Sequence, residues 1–201
     1  VFECSDSRLG QIAVKFSHSD EPQRLERELA LMQRVAHERI CRGYEHHTSA
    51  DGRLYAMMLE LLEMGSLTQR IEDQGGRIRE FEVVRMAFDV LAALLFMTQK
   101  NVIHRDIKPS NIMLTEVDGQ LLYKLIDLSI AAVDRDARSG VSGTLATSTT
   151  GLAKQLGTLH YMSPEQFEVG TVVTAQTDLW SLGVVMFECL SGVLPFAHGE
   201  T

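Results

Sequence analysis

Eight consecutive residues constrain this chain more than any other stretch: His104-Arg105-Asp106-Ile107-Lys108-Pro109-Ser110-Asn111. They set an acid, a base and an amide beside a proline turn, so the polar groups belong on a short held loop. The flanks agree with that placement. Val90 to Met97 is apolar enough for a buried helix, and Ile112-Met113-Leu114 begins a short strand. Further on, Asp127 follows the apolar strand Leu121-Leu122-Tyr123-Lys124-Leu125-Ile126, which can deliver a second carboxylate beside the loop. A surface loop with capping Asp and Asn residues accounts for either residue alone but poorly for the ordered set, because a motif gains force from its strand and helix context.

In these motifs the chain resembles the eukaryotic-type protein kinases of the serine/threonine class. The resemblance implies phosphoryl transfer, whose loose, highly charged transition state asks the protein mainly to position the partners and to neutralise charge through magnesium. It implies that Asp106 orients an acceptor hydroxyl and takes its proton, a role worth ~10²–10⁴-fold in rate. Lys108 then stabilises the transferring phosphoryl group. Asn111 and Asp127 supply oxygen ligands to Mg2+, which keeps positions for water and nucleotide phosphates. ATP and Mg2+ are the implied cofactors, and a protein with a Ser or Thr acceptor is the implied partner.

Composition narrows the alternatives. With 201 residues, 45% of them hydrophobic, the chain can bury a substantial core. A net charge of −8 argues against a general nucleic-acid-binding surface. No apolar run approaches the ~20 residues of a bilayer span, and no secretory leader precedes the first strand, so a protein without a transmembrane segment is expected. Cys4, Cys41 and Cys189 form neither a paired framework nor a zinc spacing, which favours a reducing, intracellular compartment, cytoplasmic or nuclear. The pair His46-His47 lies in a polar run ending in Ala50-Asp51-Gly52 and reads as the solvated approach to a hairpin, not as a metal site.

Taken in order, Val1 to Cys4 and Gln11 to Phe16 read as two antiparallel strands joined by the polar turn Ser5 to Gly10. Ile12-Ala13-Val14-Lys15 is similar to the kinase strand whose lysine grips the α- and β-phosphates, and by that resemblance Ala13 and Val1 cover the adenine. The family's glycine-rich loop does not precede it, which reads as truncation of a longer protein. Glu21 to Ala36 has helical spacing, with Leu25, Leu29, Met32 and Val35 on one face. The resemblance makes Glu28 the partner of Lys15. Its competitor Glu26 lies about 200° around the helix, so only one of the two can face the strand. Leu54 to Leu62 is a strand, broken by Glu63-Met64-Gly65-Ser66-Leu67, and it resembles the hinge between kinase lobes. There Leu59 gates the back of the adenine pocket, backbone groups of Glu60, Leu61 and Leu62 bond the base, and Met113 forms the floor.

The chain departs from the family at Asp127-Leu128-Ser129, where Asp-Phe-Gly is usual. Leu128 can fill the apolar column between Met32 and His104. Ser129 is expected to cost roughly 1 kcal/mol or more if the position needs glycine's backbone angles, with reduced switching or activity as the consequence. Ile130 to Leu156 is rich in Ser, Thr, Gly and Ala and suits an activation segment. Gly157 to Glu165 resembles the substrate-docking segment, in which Thr158 engages Asp106 and Lys108 and Glu165 pairs with an arginine far downstream. Asp178 to Val185 matches the buried lower-lobe helix, with Asp178 accepting catalytic-loop amides and Trp180 in the core. Arg105 is the expected partner of a phosphate placed by an upstream kinase on Ser139, Ser142, Thr144 or, preferentially, the Thr147 to Thr150 cluster.

The expected architecture is α+β and bilobal: a single kinase-domain fragment over 1–201, with a β-rich N-lobe and hinge start over 1–62 and a partial, mainly helical C-lobe over 63–201. The expected function is ATP-dependent phosphorylation of Ser/Thr hydroxyls of proteins. A weakly active pseudokinase serving as a nucleotide-binding or interaction scaffold is the first alternative, suggested by Leu128-Ser129. A small-molecule kinase on a related fold is the second, and it has no need of a segment like Gly157 to Glu165.

Overall fold

The computed structural model describes residues 1–18, 22–52, 54–133, 159–168 and 171–196. Thr158, Gly157 and the hydroxyl candidates from Ser139 to Thr150 lie outside these residues. The first lobe is a four-stranded antiparallel sheet in the order β1-β2-β4-β3, with β1 at Phe2–Asp6, β2 at Gly10–His18, β3 at Gly43–Thr48 and β4 at Leu54–Glu60. Helix α1, Pro22–Arg34, packs on it. Leu25, Leu29, Met32 and Val35 are all buried, as their spacing predicts. Helix α1 and β3 approach so closely at Gly43 that a Cβ there would meet Leu29 Cδ1 at 2.7 Å and Met32 Cβ at 3.3 Å. Glycine is required by contact, not by its backbone angles.

The strands and helices expected from sequence are present; most ends shift by one or two residues, where hydrogen bonding and φ/ψ trade off, while Val90 to Met97 and Asp178 to Val185 prove to be parts of the longer helices Glu80–Gln99 and Gln176–Ser191. Strand β3 bears out His46-His47 as the solvated approach to a hairpin and adds that this approach is itself an edge strand. These residues pair with Met57 and Ala56 of β4 on an edge strand whose outer half is exposed. Its polar composition hid it, because an edge strand with no apolar alternation gives no period-2 signal.

The second lobe is mainly helical. Helix α2 (Leu67–Asp73) starts at Ser66, whose side chain accepts from the Gln69 amide while Gln69 returns a bond to the Ser66 amide. Such a cap is worth about 1 kcal/mol. Helix α3 (Glu80–Gln99) leads into β5 (Val102–Ile103), and the hairpin of β6 (Ile112–Val117) and β7 (Gln120–Leu125) follows the catalytic-loop motif. Strand β8, Ala132–Val133, pairs with β5. Helix α4, Gln176–Ser191, packs on α3 and ends at Gly192 in the left-handed conformation (φ 78°) that a C-terminal cap favours. One hydrophobic cluster runs from α1 through Leu62 and Leu67 to α3, β7 and Val185 of α4. Trp180 does not join it: 40% exposed, it stacks on Phe196 at 5.5 Å, because it stands on the α4 face turned from the core. Among the described residues no helix is long and apolar enough to cross a membrane.

Two buried carboxylates tie these layers together. Glu82 of α3 accepts from Arg70 Nε (2.7 Å), Arg70 Nη2 (3.3 Å), Gln74 Nε2 (3.0 Å) and Tyr123 Oη (2.8 Å), joining α2, α3 and β7. Asp89 accepts from Arg39 Nε at 2.7 Å and the Tyr123 amide at 3.1 Å, anchoring the α1–β3 connection on the second lobe. Burial pushes the Glu82 carboxyl up, but Arg70, Gln74 and Tyr123 outweigh it and hold the group below its ordinary 4.5. A carboxylate with a depressed folded pKa stabilises above its unfolded value, and the contribution fades as pH falls through the folded one. We therefore expect Glu82→Gln to lower stability at pH 7 by about 1–3 kcal/mol, and the gap between variant and parent to narrow as pH falls below 4.5. Denaturant titrations of both proteins from pH 7 to pH 3 check this; a gap independent of pH would show that the Glu82 charge is not what holds the three elements.

Candidate active site

The first half of the site is an ionic triangle between the lobes. Lys15, at the middle of β2, donates from Nζ to Glu28 Oε1 (2.7 Å) and Oε2 (2.9 Å) of α1, and to Asp127 Oδ1 (3.2 Å) after β7. Helix α1 turns Glu28 inward to near-complete burial and leaves Glu26 on the outside, where it lies 3.8 Å from His46. Burial works against the Lys15 charge, yet Asp127 and Glu28 together raise its pKa and keep it protonated. Burial likewise opposes the Asp127 charge, but Lys15 and the Ser129 amide, 3.2 Å from Oδ1, hold Asp127 well below the carboxylate range. Glu28 is shifted upward: burial and the negative Asp127 outweigh its bonds to Lys15. The shared ammonium therefore favours the Asp127 charge most.

Asp127 itself adopts a left-handed conformation, φ 62°, whereas Ser129 is not among the residues with positive φ. The expected penalty for serine in place of glycine does not arise here, because the turn puts its unusual angle two residues earlier. Leu128 is buried with Met32 and His104, as the apolar column requires.

The second half is the loop after β5. Its backbone hangs on Asp178 of α4, which accepts the His104 amide at 2.9 Å and the Arg105 amide at 2.8 Å. Burial pushes the Asp178 carboxyl up; its bonds from the His104 and Arg105 amides pull the other way. Arg105 takes a left-handed φ of 68°, a conformation that costs about 1 kcal/mol or more for a residue with a Cβ and persists where surrounding contacts fix it. His104, fully buried, has one tautomer that satisfies both of its contacts: Nε2–H donates to the Ile126 carbonyl at 3.1 Å, and Nδ1 accepts the Asp106 amide at 3.3 Å.

Asp106 is thereby presented with its two oxygens in different states. Oδ2 accepts from Lys108 Nζ and from Asn111 Nδ2, each at 2.8 Å. Oδ1 is buried and has no hydrogen-bond partner among the described residues. Because Asn111 Nδ2 also donates to the Asp106 carbonyl at 2.8 Å, the amide's orientation is fixed with its oxygen on the opposite side. Among the described residues no group of three or more His, Cys, Asp or Glu could by itself hold a metal ion. One carboxylate and one amide oxygen fit a hard cation that keeps waters and takes phosphate oxygens, and do not fit an all-protein metal cage.

Sequence reading missed Gln166. Its Oε1 accepts the Ser163 amide at 3.0 Å and its Nε2 donates to the Arg105 carbonyl at 3.2 Å, so the segment after Thr158 is pinned to the loop. The signal was available as the capping box Ser163-x-x-Gln166. Glu165 accepts from Thr177 Oγ1 at 2.7 Å.

The residues expected around a base are gathered less tightly. Ala13 stands opposite Leu59 in the β2–β4 register, and Met113 forms an isolated antiparallel bridge with Ser66, all four partly buried. Leu62 is buried; Leu61 follows the strand end and is half-buried. The Glu60 amide donates to the Arg42 carbonyl at 2.8 Å, its carbonyl accepts from Cys41 Sγ at 3.7 Å, and its side chain accepts from Lys124. Val1 is 78% exposed.

The family model for the protein kinase domain matches residues 1–201. The chain is 30% identical over 203 residues to a probable serine/threonine-protein kinase of Clostridium acetobutylicum, covering 98% of this chain and 28% of that protein. It is 40% identical over 121 residues to the inhibitor of nuclear factor kappa-B kinase subunit alpha of Danio rerio (60% of this chain, 14% of that one). Against a MAP kinase kinase of Schizosaccharomyces pombe it is 38% identical over 133 residues, 66% of this chain and 32% of that one. The chain thus spans a third or less of the length of these relatives.

If Asp178 sets the loop, Asp178→Ala leaves two buried amides without acceptors, and we expect a loss of about 2–5 kcal/mol in stability with faster amide exchange at His104 and Arg105. Hydrogen-exchange mass spectrometry over 102–108 checks it: unchanged protection there would remove Asp178 from this role.

Proposed function

The chain belongs to the protein kinase domain family, and on that premise we propose that it transfers the γ-phosphoryl group of ATP to serine and threonine hydroxyls of protein substrates. The observation that carries this reading is the unpartnered Asp106 Oδ1 beside a saturated Oδ2. A buried carboxylate oxygen without a donor is costly, and a substrate hydroxyl supplies the missing proton donor. As that oxygen attacks phosphorus and the bond to the ADP leaving group breaks, its proton passes to Asp106. Lys108, 2.8 Å from Asp106, is placed to neutralise charge on the transferring group. Lys15, held by Glu28, grips the α- and β-phosphates. Asp127 and Asn111 would hold Mg2+, which when bound neutralises phosphate charge. Ala13, Leu59, Met113 and the backbone of Leu61 and Leu62 receive the adenine. The lobes divide after Leu62. Three unpaired cysteines, two of them buried, suit a reducing compartment inside the cell.

One ground for the pseudokinase alternative is Leu128-Ser129, and there Leu128 is buried and the Ser129 backbone asks for no glycine. We expect Asp106→Asn to abolish transfer of labelled phosphate to a generic Ser/Thr substrate, and Asp127→Asn to weaken magnesium-dependent ATP binding while magnesium-free adenine binding persists. Equal transfer by Asp106→Asn and the parent would sink the assignment of Asp106, and an unchanged magnesium titration would remove Asp127 from the metal site.

Control by an upstream kinase belongs to the same reading. A phosphate carries about −1.5 to −2 charge and makes charge-assisted bonds that order a loop, and Arg105 is the basic residue next to Asp106. Alanine at all four of Thr147 to Thr150 is expected to lower activity several-fold, and Arg105→Ala to do so without additive loss. Full activity of the alanine variant, with no phosphate found by mass spectrometry between Asp127 and Thr158 of the active protein, rejects that site.

A further inference from the structure

Helix α3 buries one face in the core and carries a second apolar stripe on its outside: Phe81, Val84, Phe88, Leu91 and Leu95, all exposed, with Phe81 at 65%, Phe88 at 70% and Leu95 at 62%. The spacing alternates three and four residues, so the five side chains form one straight seam over four turns. Nothing in the active site uses it. The two phenylalanines, about two-thirds exposed at roughly 200 Å² each, offer on the order of 270 Å², and the aliphatic residues bring the stripe to on the order of 500 Å², the size at which exposed apolar patches mark interaction surfaces.

We propose that this seam is a self-association surface, on which a second copy of the chain packs its own α3 antiparallel about a two-fold axis at Phe88. The sequence of the stripe favours a copy of itself as the occupant, because it is symmetric about its centre. Phe88 faces the partner's Phe88, Phe81 faces the partner's Leu95, and Val84 falls within one residue, ~1.5 Å along the axis, of the partner's Leu91. A two-fold contact must be self-complementary in this way. Charge follows the same symmetry. Exposed Glu80 at the start of α3 comes within one turn of the partner's Lys100 just past its end, and the antiparallel helix dipoles attract. Doubled across the axis, the stripe reaches ~1,000 Å², the lower bound for a specific interface, so the association is expected to be weak and concentration-dependent.

Sedimentation equilibrium of the intact protein across the micromolar range tests this. The parent is expected to approach twice its monomer mass. Phe88→Glu and Phe88→Lys, each placing like charges face to face on the axis, are expected to be monomeric with unchanged far-ultraviolet circular dichroism, and an equimolar mixture of the two to regain the dimer mass. A monomeric parent overturns the proposal, including the case in which Phe88→Glu lowers the thermal midpoint of a monomer because another part of the same chain covers the stripe. A dimer that survives Phe88→Glu, or a mixture that stays monomeric, overturns it as well, because Phe88 then does not face itself.

Discussion

A carboxylate almost without water, Asp178, accepts two consecutive amides from a loop more than seventy residues away in sequence, and the rest of the site is built outward from that pair of bonds. They hold Arg105 in a left-handed conformation that an unsupported loop would leave. The next residue is then Asp106, with its amide on His104 and one oxygen tied to Lys108 and Asn111. Each link removes one degree of freedom, and the remaining carboxylate oxygen points where no protein donor waits. Burying Asp178 is expensive for an anion, and α4 carries that cost at its N-terminal turn, where helix dipoles favour negative charge.

The other half of the site is electrostatic. One ammonium serves two carboxylates drawn from α1 and from the segment after β7, so Lys15 ties three elements that no continuous secondary structure joins. Because the carboxylates compete for it, their affinities for protons diverge: Asp127 is drawn down and Glu28 is pushed up. The less buried member, Asp127, is therefore the one whose charge the ammonium favours more.

Much of this was legible in the sequence because the chemistry lies in short, contiguous runs. The loop His104 to Asn111, the strand around Lys15 and the helix around Glu28 each announce themselves by local spacing, and helix geometry lets only one of Glu28 and Glu26 face the strand, the resemblance choosing Glu28. What was not legible depends on distance in space. Strand β3 has no apolar alternation and exists because β4 offers it an edge. Gln166 reaches the Arg105 carbonyl from 61 residues away in sequence. Trp180 was assigned to the core by its type, though its helical position faces outward. Ser129 illustrates a different limit, since residue identity shows where glycine is customary and not which residue of the turn carries the positive φ.

Gly43 sets a dimension of the molecule. With Leu29 Cδ1 only 2.7 Å and Met32 Cβ 3.3 Å from where its first side-chain atom would sit, the layer between α1 and the sheet takes no further methyl group there unless the Leu29 side chain moves. The same helix carries Glu28 one residue before Leu29, so the spacer that separates helix from sheet also meters the reach of Glu28 toward Lys15. Close packing transmits such small displacements instead of absorbing them. The ion pair at the centre of the first lobe thus shares its packing with a residue that has no charge and no side chain and that pairs directly with Leu59 on β4.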